Sequence, residues 1–215
     1  MILWLLTTGI LISGILAIWF GYRQPQGKFY LFKPLTMILI ILIPVLGNVG
    51  FSLIKALILA GLLFSLLGDI LLMLPGDRFL AGLAAFLIAH LFYIAGFGID
   101  QGALVFWPVL PVFGLTALTG WFLKDGMEGM RIPAYTYMGV ISVMVWLSWS
   151  RWISGGEINH LLALCGAGLF MVSDLILAIN RFKKEIKAAR ALDLLTYYTG
   201  QWLIALSVIG LDGLR

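Results

Sequence analysis

The chain has 215 residues, 62% of them apolar and only 11% charged, with a mean hydropathy of +1.06; ordinary soluble domains hold about 45–50% apolar residues, so a water-soluble globule is excluded. The net charge of +4 does not point to a nucleic-acid partner, which needs a basic patch on a solvated module that this sequence lacks. At about 20 residues per crossing, eight helices consume about 160 residues and leave only short loops, so a single all-α transmembrane domain over 1–215 is expected.

Met1 to Phe20 is apolar and uncharged, without the basic start and small-residue cleavage site of a secretory signal, which predicts a retained first helix. Apolar runs bounded by Gly, Pro and charged residues predict seven more, at about 32–46, 51–74, 79–98, 103–123, 132–150, 159–181 and 194–211. Pro34 and Pro133 suit a first helical turn, whereas Pro108 and Pro111 predict a bend in the fifth helix. No sequence repeat supports the inverted repeats common in transporters. The single cysteine, Cys165, excludes a disulfide framework or a cysteine metal cluster.

Basic residues near helix ends are retained on the cytoplasmic side. Eleven of the 14 fall after helices 1, 3, 5 and 7: Arg23, Lys28, Lys33, Arg78, Lys124, Arg131, Arg181, Lys183, Lys184, Lys187 and Arg190. Lys55, Arg151 and Arg215 fall on the other side, so both termini are expected outside the cytoplasm.

Charges at membrane depth cost about 2.5–3.5 kcal/mol even on the lenient insertion scale, so they usually face a cavity or a partner. Asp69 lies near the end of the third helix and Asp174 near the end of the seventh. His90 sits mid-helix on a stripe with Phe86, Tyr93 and Phe97, beside a small-residue face of Ala81, Ala85 and Ala89 suited to close packing. Lys33 opens the second helix, while Tyr197, Tyr198 and Gln201 open the eighth. All of these lie between the cytoplasmic boundary and the midplane, which predicts one pocket open toward the cytoplasmic leaflet. Simpler roles compete: an ion pair or proton relay for the acids, a hydrogen-bonded core histidine, a snorkelling lysine and an aromatic belt. His160, Asp77, Asp100, Asp125 and Glu128 fall in connecting segments, where solvation is expected.

Paired membrane aspartates suggest an intramembrane aspartyl protease, but Tyr-Asp and Gly-x-Gly-Asp are required and the chain has Ser173-Asp174 and Leu67-Gly68-Asp69. The Gly-x-Ser-Gly of a rhomboid protease is missing, as is a Schiff-base lysine in the last two helices. A zinc site from His90 and two aspartates is chemically feasible, but no His-x-x-x-His or acidic cluster supports it.

Lys33-Pro34, Leu67-Gly68-Asp69, Phe79-x-x-Gly82-Leu83-x-x-Phe86-x-x-x-His90-x-x-Tyr93, Phe170-x-x-Ser173-Asp174 and Tyr198-x-x-Gln201, in this order, resemble the YhhN-like lysoplasmalogenase family. The resemblance covers nearly the whole chain. It implies an ether hydrolase that cleaves the vinyl-ether bond of lysoplasmalogens to a fatty aldehyde and a glycerophospho-alcohol, with Asp69, Asp174 and His90 catalytic. Lys33, Tyr93, Tyr198 and Gln201 would then bind the lysophospholipid substrate among the membrane lipids, with no cofactor, and the bacterial inner membrane is the expected location.

The chemistry fits two carboxylates. Protonation of the β-carbon creates an oxocarbenium-like centre that water attacks, so one acid delivers a proton while the other stays anionic, as in glycoside hydrolysis. The sequence leaves open which acid is which. His90 would orient an acid or the water, Lys33 would pair with phosphate, and Tyr198 and Gln201 would position water or headgroup. The alternative function is a small proton-coupled transporter with Asp69, His90 and Asp174 as its relay.

Overall fold

Glycine decides how closely the helices approach. In the computed structural model, which describes residues 2–47 and 50–209, eight helices are found: α1 (Ile2–Gly21), α2 (Gly27–Leu46), α3 (Leu53–Met73), α4 (Phe79–Ile99), α5 (Val109–Leu123), α6 (Arg131–Gly155), α7 (Ile158–Phe182) and α8 (Ala189–Leu206). The most extensive packing joins α3 to α4 and α7 to α8, followed by α1 to α2. Between α7 and α8 the backbones nearly touch, because a Cβ on Gly166 would fall 2.7 Å from the Gly200 carbonyl oxygen and one on Gly200 would fall 2.8 Å from that of Gly166. Such close approach is the main attractive device between helices in lipid, where water expulsion contributes nothing. Across α3 and α4, Gly61 and Gly68 receive the rings of Tyr93 and Phe86. Ala85 and Ala89 are buried here as the small-residue face requires, but Ala81 is exposed.

Six helices are long and apolar enough to cross a membrane by length and composition. The α5 helix, at 15 residues, is about 22 Å long, short of the roughly 30 Å hydrocarbon core. Its shortness corrects one expectation. Pro108 caps α5 and Pro111 lies in its first turn, so they begin the helix instead of bending it, and 103–108 run without helix. Backbone groups of that segment are satisfied by α6: the Val105 N–H donates to Ser150 Oγ (2.8 Å), and the Trp146 indole donates to the Val105 carbonyl (2.8 Å). Irregular backbone at membrane depth requires such partners.

Pro34 also departs from expectation. Because α2 starts at Gly27, Pro34 lies inside the helix, with Pro44 further along; neighbouring helices compensate the lost backbone bond in such a setting. Pro133 does lie in the first turn of α6.

Solvation was expected for His160, yet it lies in the first turn of α7 and is buried. There its Nε2 is 3.8 Å from Asp100 and 3.7 Å from Glu157, and the buried Arg151 donates to Asp100 at 2.6 Å. With Lys55 also buried, polar burial is not confined to the basic end of the bundle. The loop acids Asp77, Asp125 and Glu128 are exposed as expected, while Arg215 and the predicted end of the last helix lie outside the described residues.

Candidate active site

Odd-numbered helices end, and even-numbered ones begin, at the face that carries Arg23, Arg78, Lys124, Lys183, Lys184 and Lys187. Measured from that face at 1.5 Å per residue, Asp69 lies about 6 Å deep on α3 and Asp174 about 12 Å deep on α7. The two carboxylates belong to separate centres.

Asp69 is enclosed. Its Oδ1 lies 3.0 Å from Lys33 Nζ and its Oδ2 accepts a hydrogen bond from the Tyr197 hydroxyl at 2.8 Å, with only 3% of its side chain exposed. Tyr198 donates to the Lys33 carbonyl oxygen (3.4 Å), so α8 holds the backbone of Lys33 while Asp69 of α3 holds its ammonium. Deeper in the bundle, the Tyr93 hydroxyl donates to Gln201 Oε1 at 2.7 Å and lies 3.4 Å from Ser65 Oγ, leaving Gln201 Nε2 without a hydrogen-bond partner among the described residues.

Asp174 is different. It lies in the wall of a cavity of about 330 Å³ between α4, α5, α6 and α7, whose lining is otherwise almost wholly apolar. Its Oδ2 accepts a hydrogen bond from the Tyr137 hydroxyl at 2.7 Å and lies 4.0 Å from His90 Nε2, and 16% of its side chain is exposed. His90 is fully buried, edge-on to the rings of Tyr137 and Phe170, and neither ring nitrogen has a hydrogen-bond partner among the described residues.

A wall of edge-to-face aromatic contacts separates the centres: Phe86, Phe170 and Tyr197 meet pairwise with ring centroids 5.3–5.9 Å apart. Tyr197 thus touches Asp69 on one side and, through Phe170, the His90 ring on the other. Of the residues singled out from sequence, Asp174 and His90 come together; Asp69, Lys33 and, through α8, Tyr198 form a second group; Tyr93 and Gln201 form a third. Lys33, Asp69, His90, Tyr93 and Gln201 do not line the larger cavity, and Tyr198 lines a smaller one of about 140 Å³ between α1 and α8.

Two polar residues escaped the sequence reading. Tyr137 resembled any tyrosine of an interfacial belt. Asp193, expected at the edge of the last helix, is drawn inside because α8 begins at Ala189; its carboxylate accepts from Ser173 Oγ at 2.6 Å and lies within electrostatic reach of Lys33, Asp69 and Asp174. The signal for Asp193 was its i, i+4 spacing to Tyr197, which puts both on one helix face.

An apolar helix bundle, with six of its described helices long and apolar enough to cross a membrane, defines an integral membrane protein. The chain belongs to the YhhN family, whose model matches residues 28–208. It is 32% identical over 200 residues to the uncharacterised membrane protein YhhN of Escherichia coli O6:H1, covering 93% of this chain and 96% of that one. It is 33% identical to the lysoplasmalogenase TMEM86B of Sus scrofa, over 89% of this chain and 80% of the relative. The lysoplasmalogenase TMEM86A of Homo sapiens is 33% identical, over 71% and 65% respectively. No solved structure matches significantly.

Proposed function

We propose that the chain hydrolyses the vinyl-ether bond of lysoplasmalogen-type lipids inside the larger cavity, with Asp174 as the proton donor. The observation that carries this reading is one carboxylate, held by Tyr137 and facing His90, in a cavity otherwise fit for hydrocarbon. The relatives named lysoplasmalogenase supply the substrate class.

The steps balance. Asp174 transfers its proton to the β-carbon of the enol ether as the carbon–carbon π pair forms the new C–H bond. The ether oxygen then shares the positive charge of the α-carbon, and the Asp174 carboxylate left behind stabilises that oxocarbenium centre. Water adds to the α-carbon while the Asp174 carboxylate, which lines the cavity, takes its proton, giving a hemiacetal. Collapse breaks the carbon–oxygen bond to glycerol, with the hydroxyl proton moving to the departing oxygen, and releases the aldehyde. Asp174, reprotonated when the water added, is ready for the next turnover, with the His90 ring 4.0 Å away packed behind it, and no cofactor enters.

Asp69 has a different role. Neutralised by Lys33, it anchors Tyr197, whose ring supports Phe170 against His90. Lys33, Tyr93, Tyr198 and Gln201 then serve by holding this wall, and the basic face of the bundle meets the lipid phosphate. That face is the cytoplasmic one by the distribution of Lys and Arg, which places the polar half of the cavity in the cytoplasmic leaflet and both termini on the other side. A bacterial inner membrane suits this orientation.

The test is aldehyde release from lysoplasmalogen by the purified protein in detergent. No aldehyde, together with solute movement across vesicles, sinks the hydrolase in favour of the carrier. Reporter fusions after Lys184 and at the C-terminus test the orientation, which a cytoplasmic C-terminus overturns.

A further inference from the structure

The lining of the larger cavity extends along the helices that form it. Along α6 its lining runs from Ala134 near the basic face to Trp149 near the opposite one, and along α5 from Leu123 to Pro111, or about 18–22 Å at 1.5 Å per residue. The Tyr137–Asp174 pair lies near the basic end, and from Tyr137 to Trp149 is about 18 Å of helix by the same rise. Between them Val112, Leu115, Ile141, Val145 and Met171 line the slot with hydrocarbon.

Trp149 is braced. Its ring meets that of Trp107 edge-on with centroids 5.3 Å apart, and Trp107 belongs to the non-helical segment that Ser150 and Trp146 tie to α6. Lys124, Arg131 and Lys183 border the other end of the helices that form the slot. A lipid phosphate held there lets the tail run along this lining toward Trp149.

Resting on the hydrolase reading above, we propose that Trp149, backed by Trp107, is the floor that sets the longest alkenyl chain the site accepts. A chain that ends at the indole fills the slot; a longer one must displace the bracing tryptophan pair or lift the vinyl ether away from Asp174. Each misfitting methylene in such a pocket costs about tenfold or more in kcat/KM.

The experiment measures kcat/KM for the purified protein on lysoplasmalogens that differ only in alkenyl chain length. The native protein is expected to show a sharp upper cut-off. Trp149→Ala should move it to longer chains, raising kcat/KM for the first excluded chain at least tenfold, and Val145→Leu, which adds bulk above the floor, should move it to shorter ones. An unchanged cut-off in either folded variant overturns the proposal. Binding of the matching alkyl-ether lysolipids, which lack the vinyl bond, separates the two layers of inference: a cut-off in binding without aldehyde from any lysoplasmalogen supports the floor and overturns the hydrolase, whereas aldehyde release without a cut-off does the reverse.

Discussion

Asp69 and Asp174 are the same side chain on two helices of one bundle, each accepting from a tyrosine hydroxyl, and their other neighbours differ. Asp69 has a lysine at 3.0 Å and a tyrosine at 2.8 Å and does not line the cavity that Asp174 faces. Asp174 has a tyrosine at 2.7 Å, an imidazole at 4.0 Å and a hydrocarbon-lined cavity in front of it. The comparison teaches that a buried acid with its own cation is suited to holding structure in place, whereas one lacking a Lys or Arg within ion-pair distance among the described residues is suited to exchanging a proton with what enters the cavity. Residue type does not distinguish the two.

The largest expected effect breaks the comparison on the Asp174 side. Asp174→Asn keeps the shape and removes the transferable proton, so turnover should fall by at least about 10²-fold with unchanged thermal stability. Aldehyde release and a melting curve on the same preparation measure both, and near-native activity would remove Asp174 from the mechanism.

On the Asp69 side the expected damage is to the fold. Asp69→Leu strands the Lys33 ammonium in the interior, and loss of one member of a buried pair costs about 3–5 kcal/mol. Adding Lys33→Met should recover most of that stability, because an apolar pair of similar volume avoids the desolvation cost. If the double variant melts no higher than Asp69→Leu, the pair is not the unit of stability inferred here. In that double variant, kcat reports how far the wall positions His90.

Tyr137→Phe sharpens the contrast by removing the one hydrogen bond to Asp174 while leaving the acid. A hydrogen bond to a charged group contributes about 1.5–3 kcal/mol, so a tenfold or larger fall in kcat is expected, with little change in KM if the bond acts after substrate is bound. A rise in KM alone would make Tyr137 a binding residue.

The smallest effect belongs to the exposed pair at the basic face. Arg181 donates to Asp77 at 2.6 Å and holds its carboxyl below the usual range. A depressed folded-state value means that the pair's contribution is present above the ordinary carboxylate range and lost as pH falls through it. Solvent screens such a pair, so Asp77→Asn should flatten the acid side of the stability profile only slightly and leave turnover unchanged. A large activity loss would extend the functional site to the rim of the slot, where Phe79 carries the Arg181 guanidinium 4.9 Å above its ring.

Much of this was legible in the chain itself. The number and order of helices follow from apolar runs long enough to cover hydrocarbon, and the candidate acids from the cost of burying charge. The fate of Phe86 and Tyr93 was half legible: helical spacing put them on one stripe with His90, but only packing made Phe86 part of a wall and joined Tyr93 to Gln201. The start of α8 at Ala189 hid Asp193, because a charged turn next to a loop carries no apolar signal.

The sequence by itself determined that the protein is an all-α membrane bundle, which end is basic and which few polar side chains must find partners, since hydropathy, charge count and desolvation cost are properties of the chain. Only the tertiary structure decided that Lys33 goes to Asp69 and Tyr137 to Asp174, that an aromatic wall stands between the acids and that Trp149 lines the same cavity as Asp174. Those facts depend on which helices lie side by side. Here the close approach of α7 and α8 at Gly166 and Gly200 and the ring-receiving glycines of α3 set the neighbours, and the chemical environment of each carboxylate follows from them.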